Sequence, residues 1–352
     1  MSRSVFFSSA WLLGAGLCLS ATVQAQASPQ GSLLLRYPDV SATHVAFVHA
    51  GDIYVAPREG GTARRLTSHA GLELFPKFSP DGRQIAFSAE YSGTRQVWVI
   101  PTAGGEPRQL TYKTDIGPQP PRGGYDYRVL DWTPDGQQVL VRINTVAWDD
   151  RAGRPYLLPL DGSLPTPLAI PETGGGSLSP DGRKYVFTPI DREFRTWKRY
   201  RGGRAQEIWL FDRDSGISRQ LTRNPATDNQ PVWVGERIYF TSDRDYQLDL
   251  YAMGPDGGEP TQVTDLPDFD VLWPSGGPDA VVFEQAGALW LHQPSSGQTR
   301  QVVVQVPSDL PARQVRFAKV AGQIESFDLS PAGERAIFGA RGELFSVPAK
   351  HG

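Results

Sequence analysis

The sequence predicts an all-β fold: a six-bladed β-propeller of four-stranded meander blades, followed by the first, incomplete blade of a second propeller. Three observations carry that prediction. A hairpin text, Phe78-Ser79-Pro80-Asp81-Gly82 leading to Ile85-Ala86-Phe87, returns at Trp132-Thr133-Pro134-Asp135-Gly136 before Val139-Leu140-Val141 and at Ser179-Pro180-Asp181-Gly182 before Tyr185-Val186-Phe187. A last copy, Leu329-Ser330-Pro331-Ala332-Gly333, precedes Ala336-Ile337-Phe338. An aromatic residue stands in the third strand of every unit, at Tyr54, Trp98, Tyr156, Trp209, Tyr251, Trp290 and Phe345. Helical periodicity is almost absent between the repeats.

The hairpin text explains itself. Proline pre-sets φ, aspartate caps the turn and glycine takes positive φ, while the flanking apolar residues alternate with period two. The recurring aromatic reads as packing between one sheet face and the next, because a flat bulky side chain at a fixed place in each copy is what stacked blades require.

Taken in order, residues 1–27 stand apart. Arg3 gives a positive start, an apolar run extends from Phe6 through Leu19, and Val23-Gln24-Ala25 and Ala25-Gln26-Ala27 offer small-residue cleavage sites. This pattern predicts a secretory signal peptide and a periplasmic or secreted protein. The run falls short of the roughly 20 apolar residues of a membrane anchor. Cys18 is the single cysteine and would leave with the signal, so no disulfide, thiol nucleophile or cysteine metal site is expected in the mature chain.

The first unit starts near residue 33, where Tyr37-Pro38-Asp39-Val40-Ser41 holds the place of Phe75-Pro76-Lys77-Phe78-Ser79 in the next. It continues through His44 to His49, Ile53-Tyr54-Val55 and Arg64-Arg65-Leu66-Thr67. The second closes on Arg108-Gln109-Leu110-Thr111, the third on Pro167-Leu168-Ala169, and the fourth on Arg219-Gln220-Leu221-Thr222. Units five and six use Ile238-Tyr239-Phe240 with Leu250-Tyr251-Ala252, and Ala280 to Phe283 with Leu289-Trp290-Leu291. The six-bladed ring therefore spans residues 33–306, residues 307–323 read as a proline-marked connector, and residues 324–352 open a further unit with three strands. That unit suggests that the sequence is cut from something longer.

Several of these stretches are familiar together. Leu34-Leu35-Arg36-Tyr37-Pro38-Asp39, Ala63 to His69, Glu73-Leu74-Phe75-Pro76, Thr227-Asp228-Asn229-Gln230-Pro231, Asp268 to Val271, Val347 to Gly352 and above all Arg195-Thr196-Trp197-Lys198-Arg199-Tyr200-Arg201-Gly202-Gly203 resemble the amino-terminal propeller of tricorn-type proteases and of tricorn-like peptidases of the carboxyl-terminal-processing family. The resemblance implies a six-bladed ring, then a seven-bladed ring, a PDZ-like module and a serine-protease core. It implies peptides and the remaining domains as partners, leaves homo-oligomerisation open, and puts the chain in the cytoplasm where the family's usual location applies. The expected role is to gate or guide peptides through the ring, with the chemistry encoded beyond residue 352.

Chemistry within the chain is sparse. A serine triad needs a histidine in reach of a serine, and His44, His49, His69, His292 and His351 sit beside strands, in a loop or at the terminus, with no serine in a glycine-flanked elbow. Asp149-Asp150, Asp212 with Asp214, and Asp243 with Asp245 do not complete a calcium loop. Gly174-Gly175-Gly176 has no following lysine and makes no phosphate loop. No cofactor and no metal are expected. A net charge of −3 supplies no field for nucleic acid or an anionic membrane, so neither is expected as a partner.

The basic segment from Arg192 to Arg204, interleaved with Phe194, Trp197 and Tyr200, has two readings. Its cations pair with acids of adjacent blades, or Arg195, Lys198, Arg199 and Arg201 line a passage and attract peptide carboxylates. The resemblance also implies a pair of arginines after the second blade that anchors peptide carboxyl ends; here Pro120-Pro121-Arg122-Gly123-Gly124 has one, Arg122. The alternative class is a non-enzymatic, TolB-like periplasmic propeller that binds protein partners, and a third is a prolyl-oligopeptidase-like propeller.

Overall fold

The local turn chemistry sets the blade edges. In the computed structural model, which describes residues 31–112, 127–144, 153–190, 198–307, 315, 317 and 319–350, the Ser79 hydroxyl donates to Asp81 at 2.6 Å and accepts the Gln84 N–H at 3.0 Å, and Gly82 has φ +70°. Thr133 and Ser179 repeat both bonds with Asp135 and Gln138, and with Asp181 and Lys184. Each turn thus joins the first and second strands of its blade with its own side chain.

Among the described residues, six four-stranded antiparallel sheets follow in chain order. Their first strands are Arg36–Val40, Glu73–Phe78, Tyr127–Trp132, Gly175–Leu178, Asp228–Val234 and Leu272–Gly276. These six strands touch one another in sequence, and the sixth touches the first, which makes the ring and places the first strands around its axis. The third-strand aromatic has a constant partner: Tyr54, Trp98, Trp209, Tyr251 and Trp290 lie directly opposite Phe47, Phe87, Phe187, Phe240 and Phe283, and Tyr156 lies opposite Val141. Tyr54 and Tyr251 are buried, whereas Trp98, Tyr156, Trp209 and Trp290 are half-buried at the margins of the apolar clusters. Their phenylalanine partners hold the deeper positions.

The core is divided among the seams. Among the described residues the apolar side chains form six clusters, and each joins two neighbouring blades; one packs Val45, Phe47 and Tyr54 of blade one on Val282, Leu289 and Leu291 of blade six. Second strands such as His44–His49 and Gln84–Ala89 are buried on both faces, so they read as continuous apolar runs and not as alternations.

Closure adds a device that the repeat pattern did not announce. Val304–Gln305 pairs in parallel with Gly61–Thr62 of blade one, and the Ser32 N–H donates to the Val304 carbonyl at 2.7 Å. Gly60, at φ +102°, lies so close that a Cβ there would meet the Val303 carbonyl at 2.6 Å. Ion pairs Arg36–Glu284, Arg58–Asp279 and Arg300–Glu59 cross the same seam.

Contacts divide the chain into Met1–Pro307 and Ser308–Gly352. The described residues of the second unit form a three-stranded meander, Ile324–Leu329, Arg335–Ala340 and Glu343–Pro348, in which Phe338 opposes Phe345. No helix among the described residues is long and apolar enough to cross a membrane.

Candidate functional site

Four of the six first strands carry a proline where a ladder N–H should be. Tyr37-Pro38, Phe75-Pro76, Gln230-Pro231 and Trp273-Pro274 occupy β-bulges, between Arg36 and Asp39, Leu74 and Lys77, Asn229 and Val232, and Leu272 and Ser275. Proline is confined to such positions in a sheet because it cannot donate. The residue before each proline has φ of +50°, +55°, +53° and +51°, a left-handed conformation that costs a non-glycine residue on the order of 1 kcal/mol or more. The strain is spent on aim, since all four side chains line the axis.

Tyr37, Phe75 and Trp273, from blades one, two and six, meet there. Tyr37 lies edge-on to Phe75 at 4.7 Å and to Trp273 at 4.8 Å. The guanidinium of Arg128, from blade three, sits 4.4 Å from the Phe75 ring centre and 5.1 Å from that of Trp273. Blades three and six are opposite in a six-membered ring, so the Arg128–Trp273 contact spans the axis. The space at this level is about 50 Å³. Blade four contributes Gly176, where a Cβ would collide with the Tyr185 ring and the Val186 carbonyl. Gly175 and Gly176 of the glycine run thus open the first strand of blade four, and Tyr185 takes the side-chain space at Gly176.

One step along each strand the axis becomes polar. Asp39, Lys77, Asp131, Ser177, Val232 and Ser275 hold equivalent positions opposite Ala46, Ala86, Leu140, Val186, Tyr239 and Val282. Three of them staple one blade to the next: Asp39 accepts the Phe78 N–H at 2.6 Å, Asp131 the Leu178 N–H at 3.0 Å and Ser177 the Trp233 N–H at 2.7 Å. The Trp132 indole N–H donates to the Lys77 carbonyl at 2.9 Å. Lys77 lies 3.5 Å from Asp39 and donates to Ser275, whose hydroxyl donates to Asp39.

A cavity of about 220 Å³ opens beside this layer toward the Ser-Pro-Asp-Gly turns. Trp132, Trp233, Leu178, Pro80, Pro134 and Pro180 are among its walls. Burial pushes the Asp39 carboxyl above the usual carboxylate range against the pull of Lys77, and pushes that of Asp131 up to about 6. The axis therefore has an aromatic level that spans it and a charged level that opens outward.

The basic segment lies elsewhere. Lys198 pairs with Asp270 at 2.5 Å, Arg199 donates to the Tyr246 carbonyl at 2.5 Å, and Arg201 holds Asp243 at 2.9 Å and its carbonyl at 2.8 Å. These three tie their loop to the connections of blade five and line neither axial space. Arg122 and Arg195 lie outside the described residues, as do Asp149, Asp150 and His351. The acids Asp243 and Asp245 engage Arg201 and the Tyr251 hydroxyl. His44, His69 and His292 contact Thr43, the Gly71 N–H and Thr299, and His49 lies edge-on to Tyr54.

Residues 32–298 match the model of the tricorn protease N-terminal beta propeller domain. The chain belongs to this family. It is 33% identical over 263 residues to tricorn protease homolog 1 of Streptomyces coelicolor, covering 74% of this chain and 24% of that protein. A crystal structure of the tricorn protease matches with TM-score 0.73 and 22% identity, over 90% of this chain and 30% of that one, which speaks for the fold. The chain thus spans about a quarter of the length of the curated relative. A TolB homolog of Chlorobium luteolum is 37% identical over 67 residues, 19% of this chain.

The axial residues were missed in the sequence although a signal was present. An aromatic or glutamine before proline recurs at one place in four first strands, and a proline inside a strand marks a bulge. The turn prolines Pro80, Pro134 and Pro180 are part of the repeated text, whereas Pro38, Pro76, Pro231 and Pro274 stand inside strands and mark the level where side chains meet.

Proposed function

We propose that this tricorn propeller gates or guides peptides to or from the catalytic part of an exported, tricorn-like serine peptidase, and that Arg128 with Tyr37, Phe75 and Trp273 forms the gate. The observation that carries the reading is the Arg128–Trp273 contact across the axis, built on four strained residues whose conformation has no use in the outer sheets. A chain threading the ring needs that contact to separate, so the ring works as a valve and not as an open pipe. Membership of the family supports peptides as the cargo. The TolB-like reading, a ring that binds protein partners, rests on a much shorter stretch of similarity.

Association of a labelled, unstructured peptide with the purified chain, followed by stopped-flow anisotropy, tests the valve. The Trp273→Ala variant removes the ring that Arg128 reaches, and association is expected to speed up by about tenfold if opening limits entry. A variant that retains its melting temperature yet associates at the unchanged rate would overturn the gate. Export belongs to the same proposal: the mature protein purified from its native host is expected to start after Ala25 or Ala27, and an intact Met1 would overturn it.

A further inference from the structure

We propose that the cavity at the turn end of the axis binds a primary ammonium group, with Asp131 as its counter-ion. The group is a peptide amino terminus or a lysine side chain; that choice of cargo rests on the peptide-handling reading, while the amine site itself does not.

Three ionisable side chains line the cavity among the described residues: Asp39, Lys77 and Asp131. Lys77 is committed, paired with Asp39 and hydrogen bonded to Ser275. Asp131 accepts two backbone N–H groups, from Trp132 at 2.8 Å and Leu178 at 3.0 Å, and no cation stands within ion-pair distance of it among the described residues. The layer therefore carries one negative charge more than positive when both carboxyls are ionised. A half-buried carboxylate whose nearest cation, Lys77, is shared with a second carboxylate is a costly arrangement that a further cation relieves.

The walls fit the rest of such a ligand. Trp132, Trp233, Leu178, Pro134 and Pro180 offer apolar surface to an aliphatic stem or a terminal residue. About 220 Å³ is smaller than the roughly 300 Å³ at which pockets for whole drug-sized ligands begin, so the cavity takes an end group or one side chain. An anion is disfavoured because the single lysine is already paired and two carboxylates face the space.

Calorimetric titration of the purified chain tests the site with four probes: n-butylamine, trialanine, N-acetyl-trialanine, and an N-acetylated tripeptide with a central lysine. Butylamine is expected to bind, and Asp131→Asn, which keeps the shape and one of the two acceptors, is expected to weaken it about tenfold in protein that circular dichroism shows to be folded. Lys77→Ala is expected to strengthen binding, since it releases Asp39. Trialanine binding above its acetylated form identifies the amino terminus as the source; binding of the lysine peptide identifies the side chain. Butylamine binding that ignores Asp131→Asn would overturn the proposal.

If butylamine binds through Asp131 and no peptide binds, the amine site stands and the peptide-handling reading falls. Peptides that bind equally with and without a free amine give the opposite result: peptide handling stands and the amine site falls. Should Asp131→Asn not fold, wild-type affinity for butylamine is followed from about pH 7.5 to about pH 5, where Asp39, Lys77 and the Tyr185 phenol are the other ionisable groups acting on Asp131. Loss of affinity as the carboxyl takes up its proton supports the site, and a flat profile overturns it.

Discussion

Two hairpins of this chain share their turn text and end in different surroundings. In blade two, Ser79 and Gly82 close the turn and Ile85, Ala86 and Phe87 behind it are 0% exposed. In the three-stranded unit, Ser330 accepts the Arg335 N–H at 3.1 Å and Gly333 has φ +67°, the same closure. Yet Ile337, the counterpart of Ala86, is 46% exposed, and the strands Ile324–Leu329 and Glu343–Pro348 are exposed along most of their length. The turn is encoded locally, and burial is not. Burial comes from the blade on either side, which is why each apolar cluster of the ring joins two sheets.

The largest effect that can break this comparison is at the phenylalanine opposite the third-strand aromatic. Phe87→Ala is expected to cost about 3–5 kcal/mol, the range for emptying a packed core site. Phe338→Ala, at the matching place opposite Phe345, is expected to cost about 1–2 kcal/mol, because Phe338 is only half-buried. Urea unfolding followed by circular dichroism measures both. Equal costs would mean that inter-blade packing does not set the difference.

A smaller effect sharpens the local half of the comparison. Gly82→Ala and Gly333→Ala each force a left-handed alanine, at about 1–2 kcal/mol. A Cβ at Gly82 meets Ser41 at an ordinary contact distance of 3.4 Å and one at Gly333 meets nothing, so the two losses are expected to agree within about 0.5 kcal/mol. A loss at Gly82 several times larger would show that its turn depends on blade one after all.

The same division explains what could be read from the letters. Turns were legible because Ser79, Asp81 and Gly82 act within five residues of one another. The blade count was legible because each copy repeats that text or its third-strand aromatic. The site was not. Arg128 and Trp273 are 145 positions apart by number, and their contact exists only because blades three and six face each other across a closed ring. The basic segment drew attention by composition, whereas Lys198, Arg199 and Arg201 spend their charges on blade five and the connector after it. The short parallel pairing of Val304–Gln305 with Gly61–Thr62 is equally invisible, since two-residue strands have no period.

The most direct measurement of the central claim is fluorine NMR of the chain labelled with 5-fluorotryptophan and titrated with an unstructured peptide that has a free amino terminus. If the axis handles peptides, the signals of Trp132, Trp233 and Trp273 shift and those of Trp98, Trp209 and Trp290, on the third strands, stay in place. Shifts confined to the third-strand tryptophans, with the axial three unmoved at saturation, would contradict peptide handling at the axis.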